Sequence, residues 1–316
     1  MMYKNSFRIL FSTANLIWKV MLYFIVVGAV IGGLTYVSAL PIINVLGGAN
    51  FFTNLNDIFV SFFSNLNLSE LFVNLREIIK DFVTIISQNI NSLMLYIILF
   101  IFMLVILGSF LKGLYSAICG GVLYNSMSNN IKQPFISSFR ANLVKAIKLE
   151  LARLTIILPV NVATAVIMYY MFTLTTFGGV MYILAPFLIM LVYVILIALK
   201  TTFFAGWMPA LFVINAKTYP ALFKGFGVIH RRFWNIFATS IALMLTVLTV
   251  NLFVGIFTLS VGLLITIPAS YMLFVIFEMV SFYMARGIRF YIDSETIFEP
   301  KKADLTDKKK DIKYIM

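Results

Sequence analysis

Charge-free stretches dominate this chain, and short cationic ones punctuate them. Asp, Glu, Lys and Arg are missing from residues 20–56, 82–111, 154–199 and 233–277. A charge at mid-membrane is costly and a membrane-crossing helix needs about 20 residues, so each stretch is long enough to cross. The first two hold one helix each. The last two would each extend about 69 Å as a helix, more than twice a hydrocarbon core of about 30 Å, so each must turn back. The turns are placed at Thr175-Thr176-Phe177-Gly178-Gly179 and between Gly255 and Gly262, where glycine loosens the helix. The pattern predicts an all-α polytopic integral membrane helical bundle. Its six transmembrane helices fall near 20–43, 92–114, 154–174, 180–200, 234–256 and 261–285, with interfacial amphipathic helices between them. Residues 113–131, uncharged and rich in Gly, Ser and Asn, either extend the second helix or form a re-entrant piece.

Amphipathic segments flank these spans. Residues 3–19 place Phe7, Leu10, Phe11, Ala14, Ile17 and Trp18 at spacings of three and four, with Lys4, Arg8 and Asn15 between them, an interfacial helix feeding span one. The loop of about 47–91 is an insert of two amphipathic helices. Leu55, Ile58, Phe59, Phe62 and Phe63 mark one face, and Leu71, Phe72, Leu75, Ile78, Ile79 and Phe82 another. Asn67, with Glu70 three residues on, has the form of a helix start. Residues 134–153 set Arg140, Lys145, Lys148 and Arg153 against Phe139, Leu143, Ile147 and Leu151; residues 217–235 form a third ramp of the same kind. All three ramps carry a Phe followed by a basic residue (Phe7-Arg8, Phe139-Arg140, Phe223-Lys224), and Trp18 and Trp234 enter the spans after the first and third. This layout reads either as three copies of one ramp-plus-hairpin unit or as independent entry ramps with interfacial Trp. Thr201 to Ala216 is too short to span and is expected to stay at the inner surface.

Composition agrees with lipid as the main solvent, since 62% of the residues are hydrophobic and only 11% charged. A net charge of +12 in such a chain marks loops held beside anionic lipid and does not indicate nucleic acid. With the N-terminus inside, all but Arg76 and Lys80 of the 24 Lys and Arg residues fall on inner segments. The expected location is a bacterial cell membrane, multi-pass, with N- and C-termini cytoplasmic. The first apolar run also has features of a cleavable leader, with Val37-Ser38-Ala39 as a small-residue site, but its length favours a retained helix. Residues 1–298 read as one membrane domain and 299–316 as a charged, disordered tail. Gly28 and Gly32 form a small-xxx-small pair open to another helix. One cysteine, Cys119, with one histidine excludes an internal disulfide and a Cys/His zinc site.

Candidate chemistry is sparse. Glu278 is the one acidic residue well inside a span, about 10 Å from its boundary at 1.5 Å per residue, which marks it as a proton carrier, a cation ligand, or a partner of Lys200 or Lys112. Asn161 and Asn251 lie in spans three and five, and Pro159, Pro186 and Pro268 interrupt spans three, four and six; such features line transporter sites or serve as interhelical bonds and kinks. His230 sits beside Arg231 and Arg232 at the interface. No nucleophile elbow, phosphate-binding loop or metal motif is present, so no catalytic residue, metal or cofactor is assigned.

Trp207-Met208-Pro209-Ala210-Leu211-Phe212-Val213-Ile214, then Ala221-Leu222-Phe223-Lys224-Gly225-Phe226 and Arg232-Phe233-Trp234-Asn235-Ile236, resembles a bacterial membrane-domain pattern. It is similar to the six-helix membrane domain attached to some glycerophosphodiester phosphodiesterases and found in related stand-alone proteins. Gly225 stands where that pattern usually has Ser, and no phosphodiesterase domain accompanies it, so the resemblance implies a lipid-associated bundle and no activity. The first functional reading is a non-enzymatic accessory or organising protein. Its inner-leaflet contacts with anionic lipid would be Arg140, Lys145, Lys148, Arg153, Lys224, Arg231 and Arg232, and its protein partner would be another membrane protein or a second copy. The second is a small transporter or permease subunit with a polar path of Glu278, Asn161, Asn251 and Lys200; the third is a membrane enzyme acting on lipid.

Overall fold

The computed structural model describes residues 1–131, 133–173 and 181–300. The chain is an all-α multi-pass membrane protein with six helices long and apolar enough to cross a bilayer: Ala14–Gly48, Ile90–Asn129, Phe135–Thr173, Leu184–Val213, Phe233–Phe257 and Leu263–Arg286. In order the elements are α1 (Met2–Ser12), α2 (Ala14–Gly48), α3 (Phe51–Asn65), α4 (Leu68–Gln88) and α5 (Ile90–Ile101). A π-helical segment (Phe102–Leu107) then leads into α6 (Gly108–Asn129), α7 (Phe135–Thr173), α8 (Met181–Phe204), α9 (Trp207–Val213), α10 (Thr218–His230), α11 (Phe233–Phe257) and α12 (Leu263–Arg286). A short antiparallel hairpin of β1 (Phe290–Tyr291) and β2 (Ile297–Phe298) follows. The expected turn at 175–179 and the tail beyond residue 300 lie outside the described residues.

The residues gather into two compact units, Met1–Tyr23 with Gly113–Ala152 and Ile197–Met316, and Phe24–Lys112 with Arg153–Leu196. In the first, α12 is the centre, and Phe277, Phe282 and Tyr283 are among its fully buried side chains. The short helix α1 packs on α12, and its Tyr3 hydroxyl bonds the Thr246 hydroxyl of α11 at 3.0 Å. Its buried face is Met2, Asn5, Ser6, Ile9 and Leu10, rotated from the expected one. Phe11 and Trp18 point outward, because the small Asn5 and Ser6 let α1 approach its neighbours while the aromatic side is left to lipid.

The run 113–131 extends the second helix, as α6, which is buried without a break from Leu114 to Leu123. Its glycines are seats. A Cβ at Gly113 would fall 1.9 Å from the Glu150 carboxylate, one at Gly120 2.3 Å from Met208 Sδ, and one at Gly121 2.5 Å from Asn142 Nδ2. The Tyr115 hydroxyl donates to the Tyr271 carbonyl at 3.2 Å, and Ser138 Oγ donates to the Ile118 carbonyl at 2.9 Å. The ramp at 134–153 is therefore no separate surface helix. It is the first half of α7, continuous with span three, and it buries Ser138, Ala146, Leu149 and Glu150.

Two more expectations change here. The apolar piece before the third ramp folds inward as α9, with Trp207 to Phe212 all buried, because a backbone crossing admits it. Gly206 and Gly225 touch main chain to main chain, a Cβ on either falling 2.3–2.4 Å from the other's carbonyl oxygen. Pro159, Pro186 and Pro268 do not interrupt their spans; α7, α8 and α12 run through them, as α2 runs through Pro41. A proline removes one helix hydrogen bond and leaves the rest of the ladder to carry the segment. The turn between Gly255 and Gly262 is present, with Gly262 N–H bonded to Thr258 Oγ1 at 2.8 Å.

The β hairpin was not foreseen. Asp293 accepts from the backbone N–H groups of Glu295 and Thr296 at 3.0 and 2.6 Å, closing its turn, while Ser12 Oγ donates to the Ile292 carbonyl and Asn130 Nδ2 to the Ser294 carbonyl. Phe290, buried, stacks edge-on against Tyr283.

In the second unit, α3 and α4 form the expected amphipathic pair, joined by Phe51 and Phe82 at 5.8 Å. Asn67 caps α4, its side chain accepting from Ser69 and Glu70 N–H. Gly28 and Gly32 meet open space, so the small-residue pair seats no helix of this chain.

Two outcomes follow from these contacts. Gly206→Ala or Gly225→Ala should lower stability by about 1–3 kcal/mol, since overpacking against backbone cannot be relieved by a rotamer change, whereas Gly28→Ala should be neutral or slightly stabilising. Thermal unfolding in detergent compares them, and an unaltered Gly225→Ala melting point would refute the crossing. Asp293 is held below the usual carboxylate range, first by the Glu295 N–H and then by Thr296, with Arg8 a minor contributor. Its bonds therefore favour the charged form. The turn's stabilisation should be complete above the unfolded value of about 3.9 and lost as pH falls through the lower folded value. Amide exchange at Glu295 and Thr296 across pH 2–6 reads this directly.

Candidate functional site

The first unit carries a cleft of about 720 Å³ between α7, α9 and the link into α10. Helical spacing explains its α7 wall. Ser138, Asn142 and Glu150 turn toward α6, which leaves Val144, Lys148 and Leu151 on the other side and Lys145 at the edge between the two faces. The opposite wall is Leu211 and the link Asn215 to Pro220, which includes Lys217 and Tyr219. This link is pinned. Asn215 takes a left-handed backbone (φ 52°), Ala216 N–H bonds the Ala210 carbonyl at 3.3 Å, and buried Trp207 donates from Nε1 to the Thr218 carbonyl at 2.8 Å. The Gly206–Gly225 crossing then sets where α10 begins.

Three lysines, Lys145, Lys148 and Lys217, face this cleft, and no Asp or Glu among the described residues lines it. All three are exposed. Lys145 Nζ stands 5.8 Å from the centre of the Phe212 ring, a cation–π contact that draws its charge toward the α9 wall. No side chain caps α10 at Lys217, so the first N–H groups of that helix add partial positive charge at the same edge.

A second cleft of about 480 Å³ lies among Ser12, Asn15, Lys19, Ser126, Gln133 and Asp293. Leu16, Val122, Leu123 and Pro134 complete its lining, and Asp293 there is ion-paired with Arg8 at 3.8 Å.

The other expected site residues lie outside the lining of both clefts. Arg140, Lys224 and Arg231 are exposed, Arg232 is half-buried, and Arg153 is half-buried with its Nε inside the protein. Of the polar path, Glu278 and Lys200 are half-buried, Asn251 donates to Ser270 Oγ of α12 at 3.2 Å, and Asn161 is exposed on α7. Asn251 thus serves as an interhelical bond. Ramps one and three share a short helix, a break and an exposed tryptophan at the start of the next helix, whereas ramp two has no break.

Sequence reasoning missed Glu150, the one fully enclosed charged side chain among the described residues, at 4% exposure. It accepts from Ser116 Oγ at 3.3 Å and sits over Gly113. The available signal was the matching of small residues, Gly113, Ala117 and Gly120–Gly121 on one helix with Ser138, Asn142 and Ala146 on the next. Lys217 was also passed over, as a ramp boundary.

Comparison with known proteins finds no matching family model, no matching curated protein and no matching solved structure.

The Gly113 seat makes a double-mutant cycle informative. Gly113→Ala should destabilise the native chain but cost about 1 kcal/mol less in a Glu150→Ala background, where the clash is gone. Additive losses in detergent melting would show that the carboxylate does not occupy the seat.

Proposed function

We propose that this protein is a non-enzymatic membrane protein that holds anionic lipid at the cytoplasmic leaflet of a bacterial cell membrane, in an accessory or organising role. The single observation that carries the reading is the cleft of Lys145, Lys148 and Lys217, which no acidic side chain among the described residues lines. Arg140, Lys224 and Arg231, exposed, belong to the same compact unit. Both termini are cytoplasmic in this reading, because the basic residues fall so heavily on one set of loops. The likeness of Trp207 to Ile236 to the six-helix domain of some glycerophosphodiester phosphodiesterases supports the same lipid-associated role. The transporter alternative near Glu278 has less behind it, since Asn251 is engaged with Ser270 and Asn161 lies on an exposed face.

The lipid that stays with the protein decides the matter. Purified in native membrane patches, the wild type should be enriched in anionic over zwitterionic lipid relative to the surrounding membrane. Replacing Arg140, Lys145, Lys148, Lys224, Arg231 and Arg232 by Gln should lower that enrichment several-fold, each basic residue near the surface contributing about 1 kcal/mol of attraction. Bulk-like composition in the wild type would defeat the proposal.

A further inference from the structure

We infer that the cleft between α7 and the α9–α10 link selects a phosphate group bearing more than one negative charge, a phosphate monoester or diphosphate, over a singly charged phosphodiester. The inference deepens the proposed function and rests on it for the lipid source of that phosphate.

Three ammonium groups share one concavity, and among the described residues no carboxylate in the lining offsets them. Phe212 partly engages Lys145 through its ring face, which supplies no countercharge, so the set keeps its full positive charge. A phosphodiester brings one negative charge and leaves two lysines unbalanced. A phosphate monoester brings about −1.5 to −2 at pH 7, with three acceptor oxygens for three donors. Lysine fits such a group well, because its ammonium is a compact point charge on a flexible stem, and three of them can converge on a tetrahedral phosphate from different directions. The space is ample, since a cleft of about 720 Å³ holds a headgroup together with the start of its acyl chains. Its walls are divided accordingly, with the lysines accompanied by Val144, Leu151, Leu211 and Tyr219, an apolar surface for the glycerol and upper chain. The second cleft, lined by a single lysine and by Asp293, gathers no such cluster of cations and serves as an internal contrast.

The experiment places the full chain in nanodiscs of zwitterionic lipid doped with phosphatidic acid or with phosphatidylglycerol at matched surface charge, and counts retained lipids by native mass spectrometry. The wild type should keep phosphatidic acid about tenfold better than phosphatidylglycerol. Lys145→Gln, Lys148→Gln and Lys217→Gln together should bring the two to parity, while Lys19→Gln, at the second cleft, should leave the preference in place. Inorganic diphosphate, added as a soluble probe, should displace the retained phosphatidic acid. Equal retention of the two lipids by the wild type, both above the zwitterionic background, would overturn this inference and leave the proposed function standing. Retention of neither, with diphosphate also unbound, would overturn both. Diphosphate bound in the cleft with no anionic lipid retained would keep the multiply charged phosphate site and overturn its lipid source. The substitutions at Lys145, Lys148 and Lys217 alter exposed side chains, and the wild-type lipid comparison is decisive even where a variant folds poorly.

Discussion

Close approach of main chain to main chain is the constraint on which the first unit depends. Lipid tails are as apolar as leucine, so burial supplies little drive for one membrane helix to find another, and packing and polar contacts must do it. Removal of side chains at chosen points is how this chain brings its helices near. Gly206 against Gly225 lets α9 and α10 cross at backbone distance, and Gly113, Gly120 and Gly121 let α6 receive Glu150, Met208 and Asn142. With those side chains received, Trp207 can be fully buried and still place its indole N–H on the Thr218 carbonyl. The crossing thereby fixes the link that forms one wall of the cationic cleft. A serine at position 225, the residue usual in the resembling pattern, would meet the Gly206 carbonyl.

Buried polarity is used sparingly and in pairs. Glu150 is enclosed with the Ser116 hydroxyl, Asn251 with Ser270, and Ser138 with a carbonyl of the neighbouring helix. Each joins two helices at a point where an isolated polar group would be costly in a low-dielectric interior. The basic residues follow the opposite rule. Lys145, Lys148, Lys217 and Lys224 stay exposed, so their charge is available to a ligand and is not consumed by the fold.

The spans were legible because charge exclusion over about 20 residues is a strong and local signal, and the cap at Asn67 was legible because a short acceptor at a helix start acts within three residues. The cationic character of Lys145 and Lys148 was equally visible. What periodicity could not reveal was which neighbour each face meets. The face of α1 was misjudged because an outward Phe11 and an inward Asn5 invert the soluble-protein rule when lipid is outside. The inward fold of α9 depends on a contact between glycines nineteen positions apart, and the hairpin at 290–298 on bonds to Ser12 and Asn130. These are pairings distant in sequence, and a single chain read in order carries no mark of them.

The continuity of α7 has a mechanical consequence. Within the first unit, one uninterrupted run of helix carries Ser138 and Glu150, which bond α6, together with Lys145 and Lys148 of the cleft. No loop intervenes to absorb a displacement. A shift of α6 is therefore passed on to Lys145 and Lys148 of the cleft without loss, because positions three and four apart on one helix move together.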